Sequence, residues 1–128
     1  MNKIMKTFIF SLFAMLVFST AVFGQKGDTV EKRVKFARGK SSVTMRGFIA
    51  DRMTTNLYIV KARAGQTLTV IFNSARKDAD VCILFPSGGQ DLCGRRKYSV
   101  KLTVDGNYQI LVDSYRENLA YTLTVSVK

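Results

Sequence analysis

The chain has 128 residues and no histidine. That absence removes the commonest general base, and with it Ser-His-Asp and Cys-His catalysis. No glycine-rich phosphate loop precedes a helical pattern. A Ser–Lys pair is not excluded by composition, but no spacing in the sequence points to one. Asp78 and Asp80 stand two residues apart and carry the oxygens that calcium takes. Full coordination needs about six or more of them, so solvated loop charges beside Arg76 and Lys77 are the better reading. No metal, no cofactor and no catalytic residue is expected: these residues point to a protein that binds, not to an enzyme.

Cys82 and Cys93 flank the turn-rich stretch Pro86-Ser87-Gly88-Gly89-Gln90. In an oxidising compartment two cysteines are expected to pair. A bridge closing so short a loop stabilises by roughly 2–3 kcal/mol. Two cysteines without histidine make a poor zinc site, and the spacing is not that of a redox C-x-x-C pair.

The cations come in groups. Lys32, Arg33, Lys35, Arg38 and Lys40 crowd one segment, where they suit an edge strand guarded by charge against aggregation. Arg95, Arg96 and Lys97 follow the second cysteine, and a disulfide would hold them near a rigid loop as an anion-binding patch. Arg116 stands beside Tyr115 in the turn Asp113-Ser114-Tyr115-Arg116-Glu117-Asn118. Loop tips on a rigid scaffold are where binding residues tend to lie, and Arg and Tyr are favoured at binding hot spots. The bland alternative is an ordinary solvated arginine beside Glu117.

The elements that must position these groups alternate with period two. Tyr121, Leu123, Val125 and Val127 alternate with Thr122, Thr124 and Ser126, as a half-buried strand requires. Similar alternation marks Val43 to Ile49, Tyr58 to Ala62, Leu68 to Phe72, Val81 to Phe85, Tyr98 to Val104 and Tyr108 to Val112. Val34 and Phe36 fit a short first strand. Asp105-Gly106 reads as a hairpin turn, because glycine supplies the positive φ a tight turn needs. Ala64-Gly65-Gln66 and Arg38-Gly39-Lys40 are further turns, and Ser114 to Asn118 has room for one helical turn at most. The expected fold is an all-β antiparallel β-sandwich of about eight strands, with one disulfide-stapled loop and with Tyr98, Val100, Ile110, Leu123 and Val125 buried.

The first residues stand outside that pattern. Lys3 and Lys6 precede the 17-residue apolar run from Thr7 to Phe23, the form of a secretory signal peptide. Cleavage after Gly24 is favoured over cleavage after Ala21, and over retention as a membrane anchor. Residues 1–24 are then the leader and 25–128 one binding domain. Loss of Lys3 and Lys6 leaves 18 of the 20 basic residues against 9 acidic ones, a net charge of +9. A field of that sign favours anionic partners. Export argues against nucleic acid and for a periplasmic or secreted location. The apolar run is short for a bilayer span of roughly 20 residues, so no stable membrane span is expected after cleavage.

The runs VKFARGKSSVTMRGFI, YIVKARAGQTLTV, GNYQILV and AYTLTVSVK resemble the periplasmic inhibitors of g-type lysozyme. They are also similar to bacterial pre-peptidase C-terminal domains. The resemblance covers Val34 to Lys128, and its best markers are the A-x-x-G-Q turn at Ala62 to Gln66 and the G-x-Y at Gly106 to Tyr108. It implies a sandwich of about eight strands without catalysis. In the inhibitors, a loop near the C-terminal hairpin puts arginines, helped by tyrosine, into the enzyme's cleft. Arg116 matches the first arginine, while the position of the second is Ala120. The inhibitors' Gly-Tyr-Asp-Tyr stretch before the third strand reads Asp51-Arg52-Met53-Thr54 here. Tyr58 matches a tyrosine of that region, but its alternation places it in the core. The resemblance thus implies a protein partner bound through Arg116, beside which Tyr115 stands as a candidate by its residue type and place. The residues alone leave open a module binding anionic glycan or lipid through Arg95, Arg96 and Lys97.

Overall fold

The computed structural model describes residues 29–75, 79–88 and 91–128. The expected leader and its cleavage site lie outside them, as does Asp78. Nine strands are present among the described residues: β1 (Thr29–Arg33), β2 (Ser42–Ile49), β3 (Thr55–Ala62), β4 (Thr67–Ser74), β5 (Ala79–Leu84), β6 (Asp91–Leu92), β7 (Lys97–Lys101), β8 (Gly106–Ser114) and β9 (Leu119–Val127). One sheet has the order β1-β3-β8-β5-β6 and the other β2-β9-β4-β7. No described helix is long and apolar enough to cross a membrane.

Every pairing is antiparallel except that of β1 with β3, which is parallel, with Thr29 opposite Thr55 and Arg33 opposite Ile59. The first strand therefore lies earlier than the apolar residues Val34 and Phe36 suggested. TVEKR shows no inward-facing apolar alternation, because β1 is an edge strand and all five of its residues are exposed. Val34 still belongs to the core, and its N–H donates to the Ile59 carbonyl at 2.8 Å just beyond the strand. Glu31, Lys32 and Arg33 on this open edge fit the charge-guarded role.

Among the described strands the chain changes sheet at every connection but one. Only β5 and β6 form a local hairpin, and the Cys82–Cys93 disulfide ties it together. Asp105-Gly106 is consequently not a hairpin turn: it carries the chain from β7 in one sheet to β8 in the other. The turn chemistry is nonetheless used. Gly106 has φ +149°, and a Cβ there would lie 2.9 Å from the Pro86 ring. Asp105 accepts the Ala64 N–H through Oδ1 at 2.7 Å, clamping the β3–β4 and β7–β8 crossings together.

The inward faces meet in one core. Tyr58 and Val60 of β3, Leu68 and Val70 of β4, Ile83 of β5, Ile110 and Val112 of β8, and Leu123 and Val125 of β9 are essentially sealed from solvent. Tyr98 is also buried, and its hydroxyl donates to the Val81 carbonyl at 2.9 Å. Val100 is only half-buried, because it sits on β7, the edge of its sheet. Residues 115–118 form bends, not a helical turn.

Candidate functional site at the paired loops

The loop carrying Arg116 joins β8 to β9 across the two sheets, and it does not stand alone. Ile49 at the end of β2 pairs with Leu119 at the start of β9, and Thr55 at the start of β3 pairs with Asp113 near the end of β8. These registers bring the β2–β3 loop, Ala50 to Thr54, beside the β8–β9 loop. The Asn118 N–H donates to the Ala50 carbonyl at 3.1 Å and joins them. Asn118 takes φ +58°, a left-handed conformation that asparagine tolerates better than most residues.

Each loop is also braced internally. Ser114 is buried, donates its hydroxyl to the Arg116 carbonyl and accepts the Arg116 N–H at 3.2 Å. This local side-chain turn fixes the backbone under Arg116. Asp51 accepts both the Met53 N–H and the Thr54 hydroxyl through Oδ1, each at 2.9 Å. The Thr55 hydroxyl donates to the Asp113 carboxylate between the two loop bases.

The tip so built is apolar and carries charges of both signs, since Asp51 and Glu117 are exposed beside Arg52 and Arg116. Tyr115 is 64% exposed, Met53 66% and Phe48 56%, and Arg52 and Arg116 are exposed with them. Phe48 faces Ala120 across the β2–β9 ladder. The small alanine, at the position where the resemblance led to a second arginine, thus leaves an aromatic ring uncovered beside the loop. Large exposed apolar side chains rimmed by charge mark interaction surfaces. Arg116 and Tyr115 stand where the sequence led one to look. Arg52, Met53 and Phe48 were missed, although Phe48 had a signal: it interrupts the polar face of the alternation Ser42, Thr44, Arg46.

The other cationic group does not stay together. Arg96 lies over the Phe72 ring with Cζ 5.5 Å from its centroid, and Nη1 donates to the Ser74 carbonyl and hydroxyl at 3.4 and 3.3 Å. It is half-buried and serves the packing of β4 against β7. Arg95 and Lys97 remain exposed along a depression of about 480 Å³ that Asp91, Cys93 and Ser99 also line. The expected three-residue patch is therefore two exposed cations beside a carboxylate.

Below the paired loops lies a polar bridge between the sheets. The Tyr58 and Tyr121 hydroxyls share a hydrogen bond of 2.7 Å, and the buried Asn56 amide donates to Tyr121 at 2.7 Å and to the Phe48 carbonyl at 3.3 Å. Burial pushes both phenols above their usual 10.0, and for Tyr121 the Tyr58 hydrogen bond adds to the rise. Such groups hold their protons at neutral pH and act as structural links. Among the described residues, no three His, Cys, Asp or Glu side chains gather as a metal site.

The chain matches no protein-family model and no curated protein sequence. Its fold, however, has solved counterparts. The periplasmic lysozyme inhibitor of g-type lysozyme from Aeromonas hydrophila superposes with a TM-score of 0.69 at 24% identity, over 79% of this chain and 98% of that one. The corresponding Salmonella Typhimurium protein superposes with a TM-score of 0.64 at 20% identity, over 77% and 98%. The pre-peptidase C-terminal domain of a Bacillus anthracis collagenase is a looser match, with a TM-score of 0.49 at 13% identity over 82% and 99%. The nine-strand sandwich described above is the fold of the periplasmic inhibitors of g-type lysozyme.

Proposed function

We propose that this chain is an exported, non-catalytic inhibitor of a g-type lysozyme, acting in the periplasm or after secretion. It would seat the β8–β9 loop in the enzyme's substrate cleft. The observation that carries this reading is the exposed Tyr115–Arg116 tip on a loop braced by Ser114 and Asn118, in the fold of proteins that inhibit such enzymes. Residues 1–24 read as the leader and 25–128 as the inhibitory domain.

The chemistry is complementary. Glycoside hydrolysis relies on carboxyl groups beside the scissile bond, and a guanidinium offers such a group paired charge-assisted hydrogen bonds. A pre-braced loop loses little conformational entropy on docking. Phe48, Met53 and Tyr115 supply apolar contact around the arginine, and Arg52 offers a second guanidinium on the neighbouring loop. Binding through Arg95, Arg96 and Lys97 to an anionic glycan or lipid is less favoured, because Arg96 is committed to Phe72 and Ser74.

The test is peptidoglycan lysis followed by turbidity, with g-, c- and i-type lysozymes and purified protein beginning at Gln25. Inhibition of the g-type enzyme at micromolar protein or below supports the reading. Undiminished lysis at that concentration ends it.

A further inference from the structure

We propose that the opposite end of the sandwich carries a second binding site, a cleft for a phosphate group. It is independent of the lysozyme reading and shares no residue with the paired loops.

The cleft has a volume of about 400 Å³ and lies where the β1–β2 connection meets the β3–β4 turn. Lys40, Lys61 and Arg63 stand around it, with Ser41 and Gln66 between them, over a floor that includes Phe36. All three cations are exposed, and no acidic side chain lines the cleft among the described residues. Asp105, the carboxylate of the neighbouring crossing, is engaged by the Ala64 N–H at 2.7 Å. The Lys128 carbonyl oxygen likewise accepts the Thr67 N–H at 2.8 Å.

Three features separate this cleft from an ordinary solvated run of charge. Its cations come from two segments remote in sequence, so folding assembles them. Its walls are fixed: the Arg63 N–H donates to Gln66 Oε1 at 2.8 Å, the Gln66 N–H to the Arg63 carbonyl at 3.2 Å, and the Lys40 N–H to the Ala37 carbonyl at 2.9 Å. The Val127 N–H donates to the Ser41 carbonyl at 2.8 Å and locks the β2 side to β9. Its donor set also suits a tetrahedral oxyanion: one guanidinium for two oxygens, two ammonium groups, and a serine hydroxyl. Such a phosphate would come either free in solution or from a membrane head group.

The experiment is an NMR titration of the 25–128 protein with inorganic pyrophosphate. Beside it runs a sedimentation assay with vesicles of phosphatidylglycerol in phosphatidylcholine. Two double variants each remove two positive charges: Lys61→Gln/Arg63→Gln in the cleft, and Arg95→Gln/Lys97→Gln elsewhere. The expected result is weakening by about tenfold or more in the cleft variant and less than about twofold in the control, as for a built site against a diffuse field. Amide shifts should centre on Ser41, Lys61, Arg63 and Gln66. Binding of pyrophosphate identifies a free-phosphate site, and binding confined to vesicles identifies a head-group site. Equal weakening in both variants, or no binding of either probe, overturns the proposal.

Discussion

Gly47→Ala should be among the most damaging single changes in the molecule, for reasons of space alone. Gly47 has no positive φ, so its backbone accepts alanine. But a Cβ there would lie 2.1 Å from Cζ and 2.3 Å from the hydroxyl oxygen of Tyr121. The ring is tied where it stands. It packs against Phe72 at a centroid distance of 5.2 Å, and its hydroxyl holds both Asn56 and Tyr58. Overpacking of this kind costs about 1–3 kcal/mol. Displacing the hydroxyl strands at least one buried polar partner, for about 1–3 kcal/mol more. A total near 3 kcal/mol lowers the melting temperature of a domain of this size by on the order of 12 °C or more. Urea and thermal unfolding followed by circular dichroism measure it. In a Tyr121→Ala background the same substitution should cost less than about 1 kcal/mol, because the clash is gone and the two sites are coupled. A single-variant cost below about 0.5 kcal/mol, or an equal cost in both backgrounds, would show that Gly47 is not kept small by Tyr121.

Tyr121→Phe should cost about 1–3 kcal/mol by stranding the Asn56 and Tyr58 polar atoms, read as a shift in urea midpoint. Alkali tests the same bridge. Tyr58 and Tyr121 are raised above 10.0 in the folded protein, so their contribution is fully present below the unfolded phenol value. It should fall as pH rises past about 10, where the unfolded chain loses protons that the fold retains. Tyr121→Phe should reduce that slope between pH 9 and pH 11, roughly the range that spans an ordinary phenol. Replacing Cys82 and Cys93 together by alanine should cost about 3 kcal/mol by freeing a short loop in the unfolded chain, again read from the urea midpoint. Arg96→Ala should lower the melting temperature measurably through lost contact with Phe72 and Ser74, by about 0.5–2 kcal/mol. Arg95→Ala should stay within about 0.5 kcal/mol of the parent, as an exposed substitution does.

Much of this architecture was legible in the sequence, because period two is set by the strand backbone itself. Tyr58, Tyr98, Ile110, Leu123 and Val125 all face inward as their alternation requires. What alternation does not carry is the identity of the neighbouring strand. Asp105-Gly106 shows the difficulty: a hairpin and a crossing between sheets make the same demand on glycine, and only long-range pairing tells them apart. The first strand was misplaced because main-chain bonds to β3, not an apolar face, hold the exposed residues Thr29 to Arg33. The site divides in the same way. Arg116 and Tyr115 were readable as a loop tip between two clean strands. Arg52 and Met53 join them only through the tertiary register that sets Ile49 against Leu119. Arg96 was grouped with its sequence neighbours, whereas its partners Phe72 and Ser74 lie on a different strand.

Whether the β8–β9 loop acts through Arg116 on a lysozyme cleft is measured by calorimetric binding to a purified g-type lysozyme. The parent protein, Arg116→Ala and Arg116→Lys are compared, with melting temperatures recorded alongside. The parent should form a saturable one-to-one complex. Arg116→Ala should weaken it by about 2 kcal/mol or more, roughly thirtyfold, as truncating a hot spot does, and Arg116→Lys should restore only part, since lysine lacks the planar fork. All three proteins should melt within about 2 °C of one another, because the side chain is exposed. Tight binding by the parent with Arg116→Ala unchanged would rule out that role for Arg116.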